Sequence, residues 1–188
     1  EVGYEVVSDS VFSKISDTCT PQGVLCVLKQ FHYNIEEMLR DKAPLFLLLE
    51  NIQDPGNLGT MLRTGEGAGV SGIIMSRDTV DLYNPKVIRS TMGSIYRVPF
   101  YYADDFAAAV HQVQRAGVSV YAAHLRGKNS YACQDYTKGT AFLIGNEGNG
   151  LREETAELAD CYIRIPMEGK VESLNAAVAS SILMYEAH

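Results

Sequence analysis

Three stretches place side chains able to do chemistry at the ends of apolar runs. Residues 141–150 read A-F-L-I-G-N-E-G-N-G, an apolar run closing in a glycine-rich turn with one carboxylate, Glu147. Leu151 to Thr155 then reads as a helix start with acidic residues in its first turn. In residues 165–179 a short strand ending at Ile165-Pro166 opens into a polar loop. There Ser173 stands where an N-cap belongs, and Leu174, Ala177, Val178, Ser181 and Tyr185 follow at helical spacing. In residues 51–64, Asp54-Pro55-Gly56 is turn chemistry and Asn57 a natural N-cap. Leu58, Met61, Leu62, Gly65 and Gly69 share one face of that helix, and Arg63 points away from it.

A glycine-rich turn after a strand invites a phosphate or dinucleotide reading, which fits poorly. The order is G-x-x-G-x-G rather than G-x-G-x-x-G, no Gly-Lys-Ser/Thr follows, and an anion would face Glu147, Glu153 and Glu154. A neutral or cationic ligand held by backbone groups suits the turn better. The sulfonium of S-adenosylmethionine is such a ligand.

The elements that must position these residues are regular from Leu45 onward. Apolar runs at 45–49, 70–75, 98–102, 118–123, 141–144 and 161–165 alternate mostly with helical stretches at 57–68, 84–95, 104–116, 151–159 and 173–187. This is an α/β pattern with a mainly parallel sheet flanked by helices. In the second helix Asn84-Pro85 reads as cap and first turn, with Ile88, Thr91, Met92 and Ile95 inward. Lys86 and Arg89 lie opposite and, with Arg97, make the best basic cluster. Phe106, Val110 and Val113 form the stripe of the third helix, which Gly117 ends. His124 follows a strand, where either a hydrogen-bonded or a general-base role is open.

Residues 1–43 differ in texture. A strand is expected over Val24 to Leu28 and a short helix over Asn34 to Arg40, and Pro44 marks the boundary with a second domain, 44–188. The start on Glu1, without methionine, reads as a fragment or a processed chain. The 188 residues carry a formal net charge of -7, against a general nucleic-acid coat but not a local basic face. No apolar run has the length of a membrane span and no signal region opens the chain, so a cytoplasmic protein is expected. Cys19, Cys26, Cys133 and Cys161 are scattered and read as reduced core thiols, with no metal site.

Taken together, N-I-Q-D-P-G-N-L-G-T-M-L-R-T, F-L-I-G-N-E-G-N-G-L and I-P-M-E-G-K-V-E-S-L-N-A-A-V-A-S-S resemble the three signature motifs of the SpoU (TrmH) family of RNA ribose 2′-O-methyltransferases, in the SPOUT superfamily. The resemblance runs from Leu45 to the end. It implies a deep C-terminal trefoil knot, an exception to the rule against threaded chains, with knot loops binding S-adenosylmethionine and S-adenosylhomocysteine as product. Carried over by motif, Asn57, Arg63, Glu147, Ser173 and Asn175 are the catalytic positions. Gly145, Ile165 and Leu174 would contact the cofactor through backbone groups, with Leu125 bordering its adenosine, and Lys86, Arg89 and Arg97 would hold RNA. The resemblance also implies a homodimer. The segment from Tyr4 to Leu28 is similar to the linker that follows a small L30e-like RNA-binding domain in rRNA-modifying members, which favours rRNA over tRNA and implies that this domain is missing.

Two other classes compete. A nucleotide-dependent oxidoreductase would need an early G-x-G-x-x-G with a downstream acidic ribose ligand, and the first crossover supplies neither. A non-catalytic RNA-binding module on the same fold is the alternative, against which stand the five candidate catalytic residues.

Overall fold

A computed structural model describes residues 3–40 and 42–188. It divides into two compact units, residues 1–31 and 32–188. In the first, helix α1 (Asp9–Ile15) is capped by Ser8, whose hydroxyl accepts from the Val11 amide, and no residue of the helix is buried. Residues 24–28 form no strand, and Val24 and Val27 are exposed. An apolar run without a neighbouring edge has nothing to pair with.

The second unit begins with a one-turn helix, α2 (Ile35–Met38), capped by Asn34. Ile35 and Met38 are buried in the core, so residues 32–40 pack with the sheet that follows. Seven strands then form one sheet: β1 (Leu45–Leu49), β2 (Gly72–Ser76), β3 (Phe100–Ala103), β4 (Ser119–Ala123), β5 (Asn129–Ser130), β6 (Thr140–Ile144) and β7 (Cys161–Arg164). The order is β3-β2-β1-β6-β4-β7-β5, and every named pairing is parallel.

The central strands L-F-L-L-L and T-A-F-L-I are buried along their whole length. That unbroken apolar run is what a parallel strand covered on both faces requires. Leu47 pairs with Ile73 on one side and Phe142 on the other. On one face Phe46, Leu48, Ile74 and Leu143 join Val110 and Val113 of α5 (Phe106–Arg115) and Ala156 of α6 (Glu153–Ala156). Helices α3 (Pro55–Gly67), α4 (Pro85–Ser90) and α7 (Ala176–Glu186) pack together, α3 against both others and α7 against β6.

Small residues let α3 approach its neighbours. A Cβ on Gly59 would lie 1.8 Å from Ser90 Oγ of α4, and one on Gly65 would lie 2.9 Å from Val70 and 3.6 Å from Met184 of α7. Gly69, expected on the same stripe, lies exposed beyond the helix end at φ +72. The helix expected over 84–95 stops at Ser90. Met92 and Gly93 take φ values of 50 and 91, and a 3-10 turn over Ser94–Tyr96 follows. Met92 therefore points outward, 69% exposed, while Val87, Thr91 and Ser94 are buried in its stead. The cysteines are not core thiols: Cys19, Cys26 and Cys133 are exposed and Cys161 half-buried.

Because all strands are parallel, the segments after β1, β4, β6 and β7 emerge on the same edge of the sheet. This edge is where open α/β sheets place ligands.

Candidate active site

The three chemistry-bearing stretches meet at that edge. After β1, Asn51 adopts φ 54 and the chain turns into α3. Asp54, not Asn57, is the N-cap: its Oδ1 accepts from the Asn57 amide at 2.7 Å, with Pro55 in the first turn. Asn57 thus stands one turn inside, its carboxamide released from capping. At the other helix Asn175, not Ser173, is the cap, and its Oδ1 accepts from the amides of Ala177 at 2.9 Å and Val178 at 3.2 Å.

These two corrections build the site. With its oxygen engaged at the helix, Asn175 donates through Nδ2 to Asn57 Oδ1 at 3.0 Å, and Asn57 Nδ2 donates to Glu147 Oε1 at 3.0 Å. Each orientation follows from the next, since an ionised carboxylate only accepts. The relay joins residues 118 and 90 positions apart. Glu147 also accepts from the backbone amides of Gln53 at 3.1 Å and Asp54 at 3.0 Å. Burial pushes its carboxyl up, but the Asn57 amide and these two backbone donors more than offset that and hold it below the ordinary carboxylate range. A carboxylate so occupied is an anchor, not a proton acceptor.

Beside the relay lies a cavity of about 270 Å³ walled by residues 123–125, 144–151, 163–165 and 172–174, with Met167, Ala176 and Ala179. Leu125, Gly145, Ile165 and Leu174 all line it, as do Glu147 and Ser173. Gly145 is required by close approach: a Cβ there would sit 2.2 Å from the Gly150 carbonyl carbon and the Leu151 nitrogen. The loop neck is closed by an antiparallel bridge between Asn146 and Gly150, the latter at φ +70. His124 also lines the cavity. Its Nδ1 accepts from the Arg126 amide at 3.1 Å and its ring lies 5.1 Å from that of Tyr162, so it is a hydrogen-bonded wall residue. Burial, then the Arg126 charge, lowers its pKa.

Arg63 stands apart from this assembly. It is exposed, lies outside the cavity lining, and among the described residues makes no ion pair. Six residues beyond Asn57 on α3, it sits about 9 Å further along the axis and about a third of a turn round. Lys86 and Arg89 are likewise exposed. Arg97 is not free: it ion-pairs with Glu66, donating from Nη2 at 2.9 Å, while Ser94 Oγ donates to the same carboxylate at 2.6 Å. The Arg97 guanidinium and then the Ser94 hydroxyl hold the Glu66 carboxyl down to about 2.

Sequence reasoning passed over Asn146. Its Oδ1 accepts from the Gly148 and Asn149 amides at 3.0 Å, and its Nδ2 donates to the Asn51 carbonyl at 2.8 Å, tying the two loops together. An asparagine opening a glycine-rich turn is the signal that identifies it. Also missed were Glu50, Asp78 and Arg152, whose polar types carry no periodic signature. Among the described residues no group of three or more His, Cys, Asp or Glu side chains gathers as a metal site, and no helix is long and apolar enough to cross a membrane.

Comparison with known proteins supplies the family. Residues 44–185 match the model of the SpoU rRNA Methylase family. The chain is 35% identical over 180 residues to the 23S rRNA (guanosine(2553)-2′-O)-methyltransferase RlmP of Bacillus subtilis, covering 96% of this chain and 70% of the relative. The crystal structure of an AdoMet-bound rRNA methyltransferase from Sinorhizobium meliloti superposes with a TM-score of 0.86 at 36% identity, over 96% of this chain and 69% of that one. The SpoU methyltransferase AviRb from Streptomyces viridochromogenes, in complex with AdoMet, gives 0.76 at 30% identity over 82% and 60%. The match covers the sheet, the cavity and all three stretches that form the relay, and the chain belongs to the SpoU rRNA methylase family.

Proposed function

We propose that this protein is an S-adenosylmethionine-dependent RNA methyltransferase that modifies a ribose 2′-hydroxyl, with ribosomal RNA as its substrate. The observation that carries the reading is the Glu147–Asn57–Asn175 relay, which joins one expected catalytic position from each of three separate motifs beside the cavity. The cavity fits the donor. Its wall includes backbone and apolar side chains, Leu125, Ile165 and Leu174 among them, and its two carboxylates, Glu147 and Glu172, outnumber its one guanidinium, Arg164, a balance that suits a sulfonium better than a phosphate. When bound, the donor supplies an electrophilic methyl group.

The chain's own residues then do the positioning on which an in-line displacement depends. Glu147 anchors the first crossover through two backbone amides, Asn57 transmits that anchor to α7, and Ser173 faces the ribose. Arg63 stabilises the alkoxide oxygen that develops as the ribose hydroxyl gives its proton to solvent water, together with the neighbouring phosphate, because a guanidinium is a poor base but a strong oxyanion ligand.

Arg63 does not face the cavity of its own chain, so the reading includes a homodimer in which the two copies meet near the site. Helix α7 supports this: it is apolar on every side, yet Val178 and Tyr185 are 49% and 57% exposed. The exposed cations Arg63, Lys86 and Arg89, with exposed Met92, form the RNA-facing surface of a chain that is otherwise acidic. The trefoil knot belongs to the same reading and is supported by the insertion of β6 between β1 and β4.

Calorimetric titration with S-adenosylmethionine and S-adenosylhomocysteine, with NADH as control, tests the donor. Saturable binding of the first two alone is expected. Labelled methyl transfer to undermodified ribosomal RNA, followed by nuclease digestion, should yield a 2′-O-methyl nucleoside. Donor binding without transfer to undermodified ribosomal RNA would favour the non-catalytic RNA-binding module.

A further inference from the structure

Glu50 is the residue immediately after β1, and its carboxylate is 2% exposed. A charge this deep must be matched by donors or it destabilises its surroundings. Its partners all come from one place, the start of α6 about 100 residues later. Thr155 Oγ1 donates to Oε1 at 2.5 Å, the Arg152 backbone amide donates to Oε2 at 2.8 Å, and the Arg152 guanidinium lies 3.5 Å from Oε1. Arg152 ion-pairs at its other end with Asp78, which follows β2 and accepts from Ser76 Oγ at 2.5 Å. The two strand ends and the helix start are thereby riveted together.

What lies between the fixed points is the cavity wall. Residues 145–151 leave β6 at Ile144, whose carbonyl accepts from the Glu50 amide at 2.9 Å, and come back at Arg152. The departing leg is held by the sheet. The returning leg, Gly150 and Leu151, is held by the Asn146 bridge and by whatever fixes Arg152. With Gly145 packed against Gly150 and Leu151 too tightly for a Cβ, a shift of the returning leg displaces the wall itself.

We infer that Glu50, acting through Arg152, is a positioning residue for the methyl donor: it sets the returning leg of the 145–151 loop and so the shape of the donor cavity, without touching the donor. This rests on the methyltransferase reading above. It predicts an effect confined to one substrate. Glu50→Gln keeps volume and loses charge, so its Kd for S-adenosylmethionine should rise about tenfold, with KM for RNA within about twofold of wild type. Arg152→Gln, at a half-exposed side chain, should do the same. The double variant should lose well under the roughly hundredfold that independent changes would give, because both remove the pair between Glu50 and Arg152, although Arg152→Gln removes the pair with Asp78 as well.

Amide hydrogen exchange across residues 146–151, measured without donor, supplies an arm independent of binding. Faster exchange there in either single variant, with exchange in β1 and β6 unchanged, is expected. Wild-type donor affinity together with wild-type exchange in Glu50→Gln and Arg152→Gln would overturn the inference. So would additive losses in the double variant. If the wild-type chain itself fails to bind the donor, the methyltransferase reading fails, and the exchange arm alone still decides whether the clasp orders the loop.

Discussion

The donor cavity and the α4 flank lie on the same domain but are built in opposite ways. Around the cavity, the side chains of the relay and of the loop neck find their partners inside the chain: Glu147 has three donors, Asn57 and Asn175 complete each other, and Asn146 spans two loops. Along α4, Lys86 and Arg89 project into solvent, Met92 is exposed at a positive φ, and the helix breaks off early. Even Arg97, the one cation there with a carboxylate, is neutralised by Glu66. The difference teaches that the donor side is assembled before any ligand arrives, whereas the flank carries charge that only another molecule can match. A preorganised pocket loses little on binding, and a free cationic surface gains from releasing counterions.

Substitutions can break this contrast at either end. The largest effect is expected at Arg63: Arg63→Ala should lower turnover by at least about a hundredfold, the range for loss of an oxyanion ligand, while calorimetry gives a donor affinity within about twofold of wild type. Retained turnover would remove Arg63 from the mechanism. Next comes Asn175→Asp. Aspartate is a good cap, so the melting temperature should hardly move, but it has no amide to give Asn57, and kcat/KM should fall by roughly tenfold or more, the scale of a lost hydrogen bond to a polar group. A fall in kcat/KM matched by a fall in melting temperature would show that the cap, not the relay, is what matters.

On the α4 flank the double change Lys86→Glu with Arg89→Glu should weaken RNA binding and flatten its dependence on salt by about two phosphate contacts, with donor affinity unchanged. Unaltered salt dependence would place the RNA elsewhere. The smallest effect is a pH response. Glu147 has a folded-state pKa below its unfolded value, so its contribution to stability is present above the unfolded pKa and is lost as pH falls through the folded one. Acid should therefore lower the melting temperature of the wild type, and Glu147→Gln, which cannot titrate, should flatten that part of the profile.

Much of the architecture was legible because burial writes itself into composition. The run L-F-L-L-L can only be a strand covered on both faces, and its relatives at 72–76 and 140–144 repeat the message. Cap positions were less legible, because Asp54 and Asn57, or Ser173 and Asn175, are equally good caps two or three residues apart and only the tertiary partner decides between them. Helix α4 was read too long because Met92 fits an apolar stripe, and nothing in its type announces a left-handed turn ahead of Gly93. Val24 to Leu28 show the converse: strand propensity without a strand to pair with yields none. The polar clasp of Glu50 and Arg152 left no trace, since charged residues a hundred positions apart have no period to detect.

The carboxamide of Asn175 has one further consequence. It starts a helix and links the relay with the two ends of a single group. Aspartate keeps the first task and loses the second, and glutamine moves both atoms one methylene away. Either change at position 175 therefore gives up the cap, the link to Asn57, or both, so one side chain ties the start of the last helix to the site.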